Sequence, residues 1–254
     1  MIEEPKYNPK LDRLFNDPMR CRIGDNFCAS NIVFPVLYEG EKYVVKRPRE
    51  FSDFINLYYW FQDRFFYRSR RWPANHPDKC LEEEARKLET LQGFYSPKLI
   101  EYRDGTLIRE FRRGEDFRSL DSDGKRKVVL EEGIEALEQV HGKGVIIGDT
   151  NIKNLFDDSE RGVIWLGMSG VFKETPEGRA RAIDVIKFVY STWTITRNHD
   201  ITLYAAEVAA RYKGVKDDVR SLVDPGRSSL MLKFPIRIPA FDSLNRNIKK
   251  ILRG

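Results

Sequence analysis

Hydrophobic and polar residues alternate with a strand-like period in the first part of the chain. Over residues 19–47, short apolar runs flank Glu39 and Gly40, a pair typical of a tight turn, and this pattern predicts a small antiparallel sheet. Over residues 97–111, two further alternating runs meet at an Asp-Gly pair, which is the strongest short signal for a β-hairpin. The first part of the chain is therefore predicted to be rich in antiparallel strands.

Elsewhere, apolar residues recur at the three- and four-residue spacing of a helical face. The helices predicted from this spacing cover residues 51–67, 81–91, 126–141, 180–193 and 203–211, and an amphipathic basic helix follows at 241–252. Short buried strands are predicted at 144–147 and 163–166, on either side of a polar loop. Because strands give way to helices after residue 113, the predicted fold class is α+β.

Composition limits the class of protein further. Of 254 residues, 41% are hydrophobic and 12% aromatic, so the chain can bury a large core and is not a disordered tail. No apolar run approaches the roughly 20 residues of a transmembrane helix, and residues 1–10 lack the apolar stretch of a secretory signal. Three cysteines, Cys21, Cys28 and Cys80, fit a reducing compartment better than a disulfide framework. A cytoplasmic protein is expected.

The net charge of +5 is modest, but two stretches are strongly basic. Residues 232–254 contain six basic residues and one acid, and this tail could contact RNA or an anionic membrane surface or could dock against the protein's own core. Residues 64–72 interleave arginines with aromatic residues, which suits the stacking of bases but is also typical of a helix with inward aromatic side chains. A nucleic-acid-associated module is therefore one hypothesis.

The segment 140–156, VHGKGVIIGDTNIKNLF, contains the candidate chemistry. It places Asp149 and Asn154 five residues apart in a polar loop that follows a helix and an apolar run. Phosphoryl transfer uses a carboxylate to orient the acceptor hydroxyl and take its proton, and an amide oxygen nearby to bind a metal ion that bridges the phosphates. Taken alone, an Asp and an Asn at this spacing are more often turn formers.

The order of residues in this segment resembles the small atypical members of the protein-kinase-like superfamily, whose catalytic loop is HxxGxxHGDxxxxN. The matching positions are His141, Gly144, Gly148, Asp149 and Asn154, and Ile147 replaces the second histidine. Residues 180–193 resemble a helix of the KEOPS-associated and RIO-type kinases, and the MSG sequence before it resembles the metal loop of lipopolysaccharide core heptose kinases. His141 itself is expected to be structural, with its ring satisfying loop carbonyl groups.

The resemblance implies a two-lobed kinase-like fold, with an N-terminal lobe over residues 1–113 and a mostly helical lobe over 114–254. It implies ATP and Mg²⁺ as cofactors and transfer of the γ-phosphoryl group to a hydroxyl of a protein Ser/Thr or a sugar. It also implies site residues: Lys46 on the phosphates, Glu84 as its ion-pair partner, Asp149 as base, Asn154 on the metal, Glu110 and Arg112 contacting adenine through their backbone, and Gly24 in the turn over the phosphates.

One position departs from the family. The metal-binding Asp that should follow Asn154 by about a dozen residues is replaced by Trp165 in one alignment and by Gly167 in the other, and the second preserves the serine-glycine pair. Asp157, Asp158 or Glu174 could substitute only through a changed loop path. The alternative to an active kinase is therefore a pseudokinase that acts as a regulatory or scaffolding partner.

Overall fold

The first half of the computed structural model is built around a four-stranded antiparallel sheet. The structure describes residues 9–25, 31–49, 77–170, 172, 175–223 and 239–253. The strands are β1 (Asn31–Tyr38), β2 (Glu41–Pro48), β3 (Leu99–Arg103) and β4 (Thr106–Glu110), in the order β1-β2-β4-β3. Helix α1 (Asp12–Asn16) precedes the sheet, and helix α2 (Pro77–Leu91) connects β2 to β3.

Both hairpins of this sheet turn at the predicted pairs. Glu39 and Gly40 have φ values of 51° and 84°, and Asp104 and Gly105 have φ values of 49° and 70°. Two successive left-handed residues match the twist of the flanking strands, and this is why Asp-Gly sequences favour such hairpins.

The two faces of the sheet have different partners. Val45 and Ile108 pack in a small core with Leu14 and Phe15 of α1. The opposite face carries Lys46, which is paired in register with Leu107, a residue of the main core. Strand alternation therefore directs Lys46 towards the rest of the protein.

The second half is mainly helical. Its elements are β5 (Gly114–Asp116), α3 (Asp123–Gly142), β6 (Leu155–Asp158), β7 (Gly162–Trp165), α4 (Glu177–Thr196), α5 (His199–Ala210), α6 (Lys216–Val223) and α7 (Pro239–Arg253), and β5, β6 and β7 form one sheet in that order. Ser122 and Asn198 cap α3 and α5 by accepting hydrogen bonds from first-turn amides, which satisfies donors that a helix start leaves open. Leu244, Ile248 and Leu252 of α7 are buried in the main core.

Most predicted elements are confirmed, and two are wrong. Residues 144–147 form no strand, and the Ile147 amide at the end of this run donates to the Asp184 side chain of α4. The expected extended start at 19–24 is instead a 3-10 turn, Pro18–Cys21, followed by an isolated bridge between Arg22 and Val36. The predicted helix at 51–67 and the basic aromatic stretch at 64–72 lie outside the described residues.

The structure shows where the apolar face of the C-terminal helix lies. That face is packed on α5 and α6, so the alternative of docking on the protein's own core is the correct one for residues 244–252. Among the described residues, no helix combines the length and apolar composition that crossing a bilayer requires.

Candidate active site

A buried ion pair connects the sheet to α2. The Lys46 Nζ atom lies 2.5 Å from Oε2 of Glu84, and the two residues are 6% and 1% exposed. Glu84 is on the same face of α2 as Leu81 and Leu88, both fully buried, as the helical spacing predicted. The other carboxylate oxygen of Glu84 is buried and has no hydrogen-bond partner among the residues that the structure describes. The ammonium group uses one of its three donors on Glu84, so it retains donors for an anionic ligand.

Helix α4 holds the loop that contains Asp149. The fully buried Asp184 carboxylate accepts hydrogen bonds from the N–H groups of Ile147 (2.9 Å) and Gly148 (2.8 Å). The Thr150 hydroxyl donates to the Asp184 carbonyl oxygen at 2.6 Å, and Ile152 N–H donates to the Ser191 hydroxyl at 2.9 Å. One face of a rigid helix therefore fixes the loop on both sides of Asp149.

His141 takes part in this support, but not in the way the sequence suggested. Its Nε2 atom lies 3.0 Å from Asp184 Oδ2 and its Nδ1 atom 2.8 Å from the Tyr212 hydroxyl, so its ring does not satisfy loop carbonyl groups. A carboxylate can only accept, so Nε2 carries the proton and a neutral ring accepts the Tyr212 hydroxyl at Nδ1. Burial raises the pKa of Tyr212 to about 12, which keeps that hydroxyl protonated. The histidine is a structural residue beneath the loop.

Asp149 and Asn154 face each other across the loop. The Asn154 side-chain amide donates to the Asp149 carboxylate Oδ2 and to the Asp149 carbonyl oxygen, both at 2.9 Å. Ile152–Asn154 forms a 3-10 turn that brings the amide back over Asp149. Both residues are half-buried. The structure therefore places the predicted carboxylate and amide in direct contact.

The structure distinguishes the two candidate positions for the missing metal ligand. Trp165 is fully buried in β7 with its ring 6.2 Å from that of Phe188, so it belongs to the core. Gly167 lies against Asn154, and a Cβ atom placed on it would be 3.0 Å from the amide carbon and 3.1 Å from Oδ1. The residue that faces Asn154 thus has no side chain.

Lys87, a residue that the sequence analysis missed, joins α2 to both loops of the site. It is 3% exposed, and its ammonium donates to the carbonyl oxygens of Ile147 (3.2 Å), Met168 (3.0 Å) and Gly170. It stands one helical turn after Glu84, so one helix contacts both halves of the site. The sequence offers only one signal for this role, a position on the inward face of α2.

The backbones of the two loops also touch. A Cβ atom placed on Gly148 would lie 2.5 Å from the Cα of Gly170, and one placed on Gly170 would lie 2.3 Å from the carbonyl carbon of Gly148. Arg109 of β4, 6% exposed, donates to the Leu166 carbonyl oxygen at 2.6 Å. Residues 166–170 are therefore held by contacts at their beginning, middle and end.

Side-chain ion pairs hold the segment that connects the two halves. The Arg112 side chain binds Asp158 through two hydrogen bonds, of 2.6 and 2.7 Å, and Glu110 through one of 2.9 Å. Hydrogen bonding to Asp158 raises the pKa of Arg112 despite its burial. Among the described residues, no hydrogen bond engages the main-chain N–H and carbonyl groups of Arg112, which leaves them available to a ligand.

Two groups of predicted residues stay at the margin of this site. Gly24 packs against the Pro35 ring of β1, and residues 26–30, which would complete the turn over the phosphates, lie outside the described residues. Of the possible substitute acids, Asp158 is bound by Arg112, Asp157 is paired with Glu115 and Val163 in the sheet, and Glu174 is outside the described residues.

These features define a class. An antiparallel sheet with a lysine on its inner face, a helix whose glutamate pairs with that lysine, and a mostly helical half that carries the Asp-Asn loop form the two-lobed protein-kinase-like α+β fold. No family model and no curated protein matches the chain. Among solved structures, the chain is similar to the Rio2 kinase of Chaetomium thermophilum, solved as an ADP/Mg²⁺-phosphoaspartate complex. The TM-score is 0.51 at 14% identity over 94% of this chain and 74% of that one, a similarity that shows the fold alone.

The residues fit a nucleotide better than they fit magnesium. Lys46 and the open main-chain groups of Arg112 are of the kind that bind phosphates and a base, respectively. Magnesium is usually held by one or two carboxylates together with phosphate oxygens, but Gly167 offers no oxygen beside Asn154. Within the described ranges, no group of three or more His, Cys, Asp or Glu side chains is placed to hold a metal ion. The pair of metal ligands that the kinase resemblance implies, one carboxylate and one amide, is therefore incomplete in this chain.

Proposed function

We propose that this protein binds ATP in the cleft between its two halves and transfers the γ-phosphoryl group to a hydroxyl acceptor. The observation that carries the proposal is a pair of side-chain contacts. Lys46 is hydrogen-bonded to Glu84, which is 38 positions away in sequence, and Asn154 is hydrogen-bonded to Asp149, which is five positions away. Lys87 links them, because its helix carries Glu84 and its ammonium binds the carbonyl oxygen of Ile147 at the start of the catalytic loop. An assembly of this kind is what phosphoryl transfer needs from a protein.

Each residue then has a definite task. Lys46, oriented by Glu84, binds phosphate oxygens. The main-chain groups of Arg112 contact the adenine together with the carbonyl oxygen of Glu110, whose N–H group donates to the Lys98 carbonyl oxygen. Asp149 accepts the proton of the acceptor hydroxyl as that oxygen attacks phosphorus, and Asn154 orients the Asp149 carboxylate through the hydrogen bond of 2.9 Å. Gly24 belongs to the turn over the phosphates. The acceptor is a protein Ser/Thr or a sugar hydroxyl.

A second candidate is a pseudokinase, a regulatory or scaffolding partner that binds nucleotide weakly or not at all. One specific observation favours it, the glycine at position 167, because electrostatic stabilisation of the transferring phosphoryl group is the main catalytic effect in this reaction. The two candidates differ in turnover, and only the enzyme requires ATP to bind.

The experiment combines a thermal-shift titration with ATP and a measurement of ADP release. An active enzyme is stabilised by millimolar ATP and releases ADP at a rate that falls roughly 10²–10⁴-fold in Asp149→Asn, the range for loss of a general base. Asp104→Asn is the matched control, since it makes the same change at an exposed turn of the sheet. Stabilisation without turnover supports the pseudokinase. The absence of any stabilisation contradicts the enzyme and also supports the pseudokinase.

A further inference from the structure

The buried ammonium group of Lys87 is bonded to main-chain carbonyl groups of two loops. Lys87 is 3% exposed, and its acceptors are the carbonyl oxygens of Ile147 (3.2 Å), Met168 (3.0 Å) and Gly170. An ammonium group has three N–H donors, and burying a charge is costly unless it is hydrogen-bonded. Helix α2 and the two loops therefore cannot shift relative to one another without stretching the hydrogen bonds of a buried cation.

One of these acceptors belongs to the peptide group between Ile147 and Gly148. Its carbonyl oxygen accepts from Lys87, and its N–H group donates to Asp184 Oδ1 at 2.8 Å. Charged side chains of α2 and α4 thus bind both polar atoms of a single peptide group. The next peptide group along the chain leads into Asp149, the proposed base, so the direction in which the chain enters that residue is fixed from two sides.

Helix α2 also carries the contact to the phosphate-binding lysine. Glu84 is three positions before Lys87, a spacing that makes two side chains neighbours on the helix surface. The Glu84 carboxylate accepts from Lys46 of β2 at 2.5 Å. The sheet of the first half and the Asp149 loop of the second half are therefore both attached to one turn of the same helix.

We propose that Lys87 is a positioning residue for phosphoryl transfer, and that it sets the distance between the Asp149 carboxylate and the phosphates bound at Lys46. This role rests on the proposed function and extends it by assigning the alignment of the two halves to one side chain. Lys87 acts through Asp149 and not on the reacting atoms. Because a misplacement of about 1 Å can lower a rate about 10²-fold, the loss of Lys87 affects the transfer step more than the binding of ATP.

The first test measures ADP release by Lys87→Met, a variant that keeps the length of the side chain and removes its donors. At a temperature where circular dichroism shows the variant to be folded, kcat should fall about 10²-fold. The KM for ATP should change by less than about threefold, because Lys46 and Glu84 are retained. Lys125→Met is the matched control, since it makes the same change at an exposed position of α3 and should leave both constants unaltered.

A conservative variant guards against a failure to fold. Lys87→Gln keeps two N–H donors on a shorter side chain, and its kcat should lie between those of the unaltered protein and Lys87→Met. If Lys87→Met is unfolded at the assay temperature, the kcat and KM of Lys87→Gln decide the question in the same way.

The second test uses the ligand-free protein and requires no turnover. Hydrogen exchange of the Gly148 amide, followed by NMR, should accelerate in Lys87→Met at least about tenfold more than exchange of the Ile134 amide, which lies in the buried part of α3. Equal acceleration of the two amides would show that Lys87 supports only the overall stability of the fold, and this would overturn the inference.

The kinetic results separate this inference from the proposed function. An unchanged kcat in a folded Lys87→Met, or a rise in KM alone, would overturn the positioning role and leave the transfer activity standing. An unaltered protein that releases no ADP would overturn the proposed function and the positioning role together.

Discussion

Replacing Asp184 by asparagine tests the support beneath the loop that contains Asp149. The carboxylate is fully buried and accepts from three donors: the amides of Ile147 and Gly148 and the ring of His141. An asparagine side chain has one oxygen and one NH₂ group, so the NH₂ group must face at least one of these donors. Hydrogen bonds to a charged acceptor contribute about 1.5–3 kcal/mol each, and a buried donor left without a partner costs about 1–3 kcal/mol.

The loss expected for Asp184→Asn is therefore about 3 kcal/mol of unfolding free energy, or a fall in Tm of roughly 6–12 °C in a protein of this size. Urea denaturation followed by circular dichroism measures it. The control is Asp121→Asn, because that carboxylate is 71% exposed and its ion pair with Lys125 contributes less than about 1 kcal/mol. A stability of Asp184→Asn within about 0.5 kcal/mol of the unaltered protein would refute the assignment of these hydrogen bonds as the support of the loop.

Three further predictions concern the ion pairs and the loop contact. Lys46→Met and Glu84→Leu should each lower the free energy of unfolding by about 3–5 kcal/mol, because each leaves one buried charge unpaired, and the double variant should recover most of this loss. Urea denaturation of the unaltered protein and the three variants measures the coupling energy between the two residues. Additive losses would contradict this prediction. Although burial opposes the shift, hydrogen bonds from Arg112 and from neighbouring amides lower the pKa of Asp158 below its usual 3.8. The stability from this pair is therefore present above about pH 4 and is lost as the pH falls through the folded-state pKa, so melting curves of Arg112→Met and the unaltered protein should differ at neutral pH and converge in acid. Gly170→Ala forces a Cβ to within 2.4 Å of opposing backbone and should cost on the order of 3 kcal/mol, measured in the same denaturation assay; a neutral effect would show that the two loops separate easily.

Local patterns account for the parts of the site that could be predicted. Lys46 lies in an alternating strand, and Glu84 shares a helical face with two leucines, so each orientation follows from the repeat of its own element. Their ion pair was expected only because the kinase resemblance placed the two elements together. The hairpin turns could be predicted without the kinase resemblance, because the residues with left-handed backbone conformation are specified by adjacent residues.

The role of Lys87 was beyond this kind of prediction. Within α2 it is an ordinary helix-forming lysine, and its acceptors are main-chain carbonyl groups 60 to 83 residues away. Carbonyl groups are present in every residue, so no side-chain pattern marks them as partners. The error at 144–147 has a related cause: an apolar run looks like a strand, but the amide at its end, that of Ile147, donates to the Asp184 carboxylate of a distant helix.

The amino-acid sequence alone determines the order of strands and helices, the turns, and the presence of a lysine, a glutamate and an Asp-Asn loop in the order of a kinase, because these depend on neighbours a few residues apart. Tertiary structure decides that Gly167 is the residue facing Asn154, that Trp165 is in the core, and that Lys87 and Arg109 bind the loop between them. The physical reason is that burial and hydrogen-bond partners depend on packing between distant segments, which local periodicity does not encode.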